Sequence, residues 1–164
     1  MSKVPMDLLR TRGSAGAGPP PTHRAARKRS ADALGVVPLF SGLSRRHLNQ
    51  LADVAQDIQF HQGATVIREG DGGETMFCIV EGEATVSRGG KRLAALRPGD
   101  FFGEISLLDR GPRTATVTAS TPLSTIMLAR KPFLGVVESE PALANRILVE
   151  VAKRLRRTER AVRG

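Results

Sequence analysis

The stretch Phe102–Val117, FGEISLLDRGPRTATV, sets one acid and one arginine, Glu104 and Arg113, around a short loop that carries glycine and proline. Phe101–Phe102 closes a strand, and Gly103 removes the side chain where backbone can approach a ligand closely. EISLL is about one helical turn long. Its first amides have no partners inside the helix and point outward, the geometry of an anion site. Arg113 follows Pro112, whose ring restricts the backbone, and its planar fork reaches the same point. One arginine and one turn of amides suit a singly charged phosphate diester better than a triphosphate, which calls for Mg²⁺ and a lysine. Glu104 beside an anion has a purpose if it accepts hydrogen bonds from hydroxyls of the same ligand, and a ribose 2′-OH meets that need. The same residues also read as an internal Glu104–Arg113 ion pair bracing the loop. The pattern alone leaves both open.

Upstream of this stretch, short runs rich in Val, Ile, Phe and Thr alternate with turn signals: DIQF then HQG, ATVIRE then GDGG, ETMFCIV then EGE, ATVSR then GG, KRLAAL then RPGD. Downstream, RTATVTAS and LSTIMLAR add two strands of alternating polarity. That spacing predicts a small antiparallel barrel or sandwich. GDGG at 70–73 reads as a hairpin turn and not a phosphate cradle. Ser44 is an N-cap for a helix over SRRHLNQLADVA, with Leu48, Leu51, Ala52 and Ala55 on one face. KPFLGVVES is a short helix. Residues 141–160 form a longer one, opened by Pro141 and striped by Leu143, Ile147, Val151 and Leu155.

The 164 residues allow one domain with a core of its own, and the net charge of +9 is unevenly spread. Residues 1–30 carry seven Lys/Arg against one Asp, and 130–164 carry nine against four Glu. The centre, with nine against eleven acids, is nearly neutral. The charge therefore sits in the ends, where it allows nonspecific polyanion contact. Residues 1–30, rich in Gly, Ala, Pro and charge, are expected to be a disordered basic tail or linker. The division expected is that tail, a folded unit over 31–140, and a C-terminal helix with a basic end over 141–164. The single Cys78, in an apolar run, reads as packing and points to a reducing compartment. No apolar run approaches the roughly 18 residues of a membrane span, and the cytoplasm is the expected location. His23, His47 and His61 form no HxH or HxxxH pair, so neither a metal nor a cofactor is expected.

FGEISLLDRGPRTATV resembles the phosphate-binding cassette of the cyclic-nucleotide-binding domains of protein kinase A regulatory subunits, nucleotide-gated channels and catabolite activator proteins. Its pattern, FGE-apolar-small-Leu and then PR-small-Ala-small-Val, is met without a gap, and Gly70, Gly73, Gly82 and Gly99 stand where the family turns its sheet. The resemblance covers roughly residues 35–160. It implies an antiparallel, jelly-roll-like β-roll with a short cassette helix, an N-terminal helix and a C-terminal two-helix lid. It also implies that Arg113 pairs with the cyclic phosphate, that Glu104 holds the ribose 2′-OH, and that amides near Gly103, Ile105, Ser106 and Ala115 complete the cradle. Thr114 offers a hydroxyl to the phosphate or purine, and Val86 lines the base pocket. Threonine after the arginine accompanies cGMP in some members and cAMP in others. The sequence supplies no further guanine-specific contact, which favours cAMP. In the family the last helix closes over the base, which makes Arg154 or Leu155 the expected lid residue.

The resemblance implies a regulatory module or stand-alone sensor and not an enzyme, since hydrolysis of the diester calls for a metal cluster or a poised base that no motif supplies. The chain ends short of a DNA-binding helix-turn-helix, so the output is expected through an unidentified effector or a missing domain. The alternative is a nonspecific nucleic-acid-binding protein using its basic ends. Without Trp or Tyr, and without Phe in residues 1–30 or 141–164, it lacks stacking residues there.

Overall fold

The structure is a computed structural model that describes residues 23–163. Eight strands form two four-stranded antiparallel sheets. The first sheet has the order β1 (Gln56–Phe60), β8 (Leu123–Ala129), β3 (Thr75–Glu81), β6 (Phe101–Phe102). The second has the order β2 (Thr65–Ile67), β7 (Thr116–Ala119), β4 (Ala84–Arg88), β5 (Lys91–Leu96). The expected roll with flanking helices is the observed architecture.

The two faces of β3 explain why ETMFCIV reads as a continuous apolar run and not an alternating one. Phe77 and Ile79 point into the roll with Phe60, Phe102, Val117 and Leu123. Phe77 stacks on Phe102 with centroids 5.2 Å apart. Met76 and Cys78 point the other way, into a second core shared with Ile126, Leu128 and the helices. Register follows from this, because a one-residue slip of β3 would exchange the two sets.

The helices α1 (His23–Gly35) and α2 (Arg45–Val54) precede the roll, with a 3-10 turn at Pro38–Phe40 between them. Ser44 caps α2, accepting from the His47 amide at 3.2 Å. Leu48, Leu51 and Ala52 are buried as the periodicity requires. The expectation of disorder through residue 30 is corrected by α1, whose first eight residues fall in the supposed tail. The rest of that tail, residues 1–22, lies outside the described residues. Ala31 and Leu34 are fully buried in the helical core, and Arg27 pairs with Asp53 of α2 at 2.7 Å. Two apolar anchors and an ion pair suffice for a helix that packs against a neighbour, though they make a weak stripe in isolation.

After the roll come α4 (Arg130–Ser139) and α5 (Pro141–Arg163). Leu143 and Ile147 are buried beside Phe133 and Phe40, and Val151 is half-buried against the same cluster. The stripe leaves the core there, and Leu155 is 60% exposed. No helix among the described residues is long and apolar enough to cross a membrane.

Candidate functional site

A cavity of ≈ 260 Å³ lies between the second sheet, the turn after β6 and the far half of α5. Chain order alone places much of it. β6 ends at Phe102, Gly103 turns the backbone with φ +86°, and the short helix α3 (Glu104–Asp109) starts at the cavity wall. Gly103, Glu104, Ile105, Ser106, Arg113, Thr114, Ala115 and Val86, the eight residues expected to bind ligand, all line the cavity.

Arg113 is 5% exposed, held by acceptors that belong to the fold. Its Nη1 donates to the carbonyls of Thr75 at 2.8 Å and Gly103 at 3.0 Å, and its Nη2 to Thr75 Oγ1 at 3.1 Å. Those three bonds fix the guanidinium plane and leave Nε–H and one Nη2–H without a protein acceptor among the described residues. Burial pulls the Arg113 pKa below its usual value, and the negative charge of Glu104 acts the other way. Gly73 makes room for this group, since a Cβ there would stand 2.3–2.4 Å from guanidinium atoms. The 70–73 turn is thus more than a hairpin device. Asp71 accepts from the Arg113 amide at 2.8 Å and ties the turn to the cassette.

The internal Glu104–Arg113 ion pair that the sequence left open is not the pairing found. Glu104, 3% exposed, pairs through Oε1 with Arg154 Nη1 of α5 at 2.7 Å. Arg154 Nη2 donates to the Phe101 carbonyl, and its guanidinium lies 4.2 Å from the centroid of the Phe101 ring. Of the two expected lid residues, Arg154 lines the cavity, whereas Leu155 does not. Consecutive residues on a helix point about 100° apart, so only one of the pair can face inward.

Sequence reasoning missed Thr75 and Arg88. Thr75 sits in β3, and no local pattern marks it as the clamp for Arg113. Arg88 stands at the end of β4, two residues beyond Val86, and strand alternation puts the two on one face. Its Nε donates to the Thr114 carbonyl at 2.8 Å and its side chain lines the cavity. Among the described residues, no group of three His, Cys, Asp or Glu is placed to hold a metal ion.

Cys78 lies behind this site, fully buried. Burial above all, and then the negative charge of Glu104, push its thiol up from 9.0 to about 12, against the lowering effect of Arg154. The folded protein is therefore expected to resist thiol-specific labelling at pH 8 and to react fully only when unfolded. An unfolded thiol releases its proton near 9 while the folded one keeps it. The associated stability is present below pH 9 and is lost as pH rises from 9 towards 12. Cys78→Ala is expected to flatten that alkaline part of a denaturation–pH profile.

Residues 57–140 match the profile of the cyclic nucleotide-binding domain. The chain belongs to the cyclic nucleotide-binding domain family. The domain of this family is a non-catalytic regulatory module, and the present chain is related both to kinase A regulatory subunits and to CRP-like regulators. The CRP-like cAMP-activated global transcriptional regulator of Mycobacterium tuberculosis is 30% identical over 125 residues, covering 73% of this chain and 56% of that protein. The structure of cAMP-bound PfPKA-R matches with a TM-score of 0.77 at 26% identity, over 83% of this chain and 47% of that one. The regulatory subunit of a cAMP-independent protein kinase A from Trypanosoma brucei matches at 28% identity with a TM-score of 0.69, over 78% of this chain and 47% of that one. This cyclic nucleotide-binding domain thus spans about half the length of these relatives.

Proposed function

We propose that this chain senses cAMP in the cavity beneath α5 and passes the signal on through that helix. The observation that carries the reading is the buried Arg113, held flat by Thr75 and Gly103 with two N–H donors left for an oxyanion. The cyclic phosphate pairs with those donors and with amides of the first turn of α3. The ribose 2′-OH donates to Glu104, and the purine lies against Val86 with Thr114 at its edge. The fold does not choose the nucleotide, since one structural relative is described as cAMP-independent. The preference for cAMP rests on the cAMP-activated and cAMP-bound relatives.

A second reading has its own support. Arg88 brings a guanidinium to the cavity with only its Nε engaged among the described residues, and arginine pairs well with the adjacent N7 and O6 acceptors of guanine. Adenine offers only one acceptor on that edge.

Helix α5 is the moving element, its balance between two positions shifted by the ligand's differential affinity for them. The receiver is an effector protein or a further domain, and the basic ends add polyanion contact that weakens steeply with salt. The lone buried thiol of Cys78 fits a cytoplasmic setting. Isothermal titration of the full chain with cAMP and cGMP in parallel tests the proposal. Saturable binding tighter for cAMP is expected; cGMP binding tighter would select the second reading, and no binding of either would end both.

A further inference from the structure

Arg113 meets one residue twice. Its Nη1 donates to the Thr75 carbonyl at 2.8 Å, and its Nη2 donates to the hydroxyl of the same residue at 3.1 Å. Those two nitrogens form the end of the guanidinium fork, so Thr75 alone fills that end. Nη1 also donates to the Gly103 carbonyl at 3.0 Å. Nε–H and the remaining Nη2–H stand side by side on the long edge of the group, and neither has an acceptor among the described residues. Glycine keeps that side open, since a Cβ at Gly73 would stand 2.3–2.4 Å from Nη2, Cζ and Nε.

The sheet sets Thr75 in place. It opens β3 opposite Ala129 of β8, and strand alternation puts its side chain on the face shared by Phe77 and Ile79. The carbonyl is therefore a fixed acceptor whatever side chain stands there. The hydroxyl is not, because valine has the same shape and no acceptor. Arg113 is buried, and a buried charged donor left without an acceptor is costly. With Oγ1 gone, the guanidinium recovers a partner for that end by swinging Nη2 towards another acceptor. A bound phosphate supplies one, and the swing carries Nε–H away from it.

We propose that Thr75 is the positioning residue of the phosphate subsite: by filling the end of Arg113 it turns the Nε–Nη2 edge to the ligand, and that edge takes both exocyclic oxygens of one phosphate. The proposal rests on the reading above, in which Arg113 receives the cyclic phosphate. Two parallel N–H donors match two oxygens on one phosphorus, the forked contact that arginine forms and lysine cannot. A cyclic diester carries two such oxygens and shares its single charge between them. Each is a partner of Arg113, so a ligand with either one altered loses part of the contact.

The test uses the full chain as wild type, Thr75→Val and Thr75→Ser. Each is titrated with cAMP and with the two phosphorothioate diastereomers of cAMP, in which sulfur replaces one exocyclic oxygen or the other. Wild type is expected to bind each diastereomer at least about threefold more weakly than cAMP, because sulfur is the poorer acceptor. Thr75→Val is expected to lose roughly three- to tenfold of cAMP affinity and to narrow the gap between cAMP and the diastereomers. Thr75→Ser, which keeps the hydroxyl, is expected to retain most of both. The NMR signals of the guanidinium N–H groups give a readout that needs no Thr75 variant. The Arg113 Nε–H signal, assigned by its loss in Arg113→Lys, is expected to shift when cAMP is added to wild type. A signal that stays in place would overturn the proposal. So would a diastereomer that wild type binds as tightly as cAMP, an unchanged cAMP affinity in Thr75→Val, an equal loss for all three ligands, or a Thr75→Ser that behaves as Thr75→Val does. Wild type that bound no cAMP would overturn the underlying sensor reading itself, whereas cAMP binding with any of those results would strike this inference alone.

Discussion

Arg113→Ala is expected to weaken cyclic-nucleotide binding by at least about tenfold and to lower the melting temperature at the same time. The first effect follows from the two donors the guanidinium offers to the phosphate, each charge-assisted bond contributing ~1.5–3 kcal/mol. The second follows from what Arg113 does without ligand. Its removal strips donors from the Thr75 and Gly103 carbonyls, and the cost of leaving such groups unsatisfied is ~1–3 kcal/mol each when buried. For a domain of this size that corresponds to a fall of several degrees, at about 2–4 °C per kcal/mol. The two effects are separable, because calorimetry well below the melting point reads affinity and a thermal scan reads the fold. A variant that titrates like wild type would remove Arg113 from the phosphate site whatever its stability.

Gly103→Ala is expected to damage the fold and the site together. The residue sits at φ +86°, where a side chain costs about 1–2 kcal/mol. Its Cβ would also stand 2.8 Å from the Thr75 carbonyl oxygen and 2.8 Å from Arg113 Nη1. The carbonyl belongs to β3 and cannot step aside, so the guanidinium must shift, adding roughly 1–3 kcal/mol of overpacking. Gly63 separates the two costs, since it has φ +89° with nothing within 4 Å of its Cβ. In urea titrations Gly63→Ala is expected to lose only the backbone cost and to keep ligand affinity. Gly103→Ala is expected to lose about twice as much and to bind at least tenfold more weakly. Equal losses in the two variants would show that the close approach at Gly103 carries no weight.

Much of this architecture was legible in the chain because the information is local. Turn signals bound short runs of Val, Ile, Phe and Thr, and those runs are the strands of the roll. The cassette packs its glycine turn, its amide-bearing first helical turn and its arginine into sixteen consecutive residues, so the residues that meet at the cavity are already neighbours in sequence. Val86 needed the resemblance, because strand alternation gives it a face and does not say which face meets a ligand. The same alternation would have pointed to Arg88 once Val86 was placed.

What the sequence by itself determined is therefore the roll, the helices α2 to α5, and the pairing of a turn with an arginine at one point of the chain. Tertiary structure decided the rest, wherever a residue's role depends on a partner far away in sequence. Helix α1 is one case: Ala31 and Leu34 become anchors only when α2 and the 3-10 turn stand opposite them. Thr75 is another, a strand residue like its neighbours until β3 lies beneath the Gly103 turn and its carbonyl and hydroxyl meet Arg113. The stripe on α5 runs Leu143, Ile147, Val151, Leu155 with unbroken spacing, yet the core ends before Leu155 and the inward place falls to Arg154. Periodicity states which side chains share a face, and an ion pair such as Glu104–Arg154 needs only opposite charges brought within reach. Which face meets the core, and which of many arginines meets the one buried glutamate, is settled by where the backbone carries them.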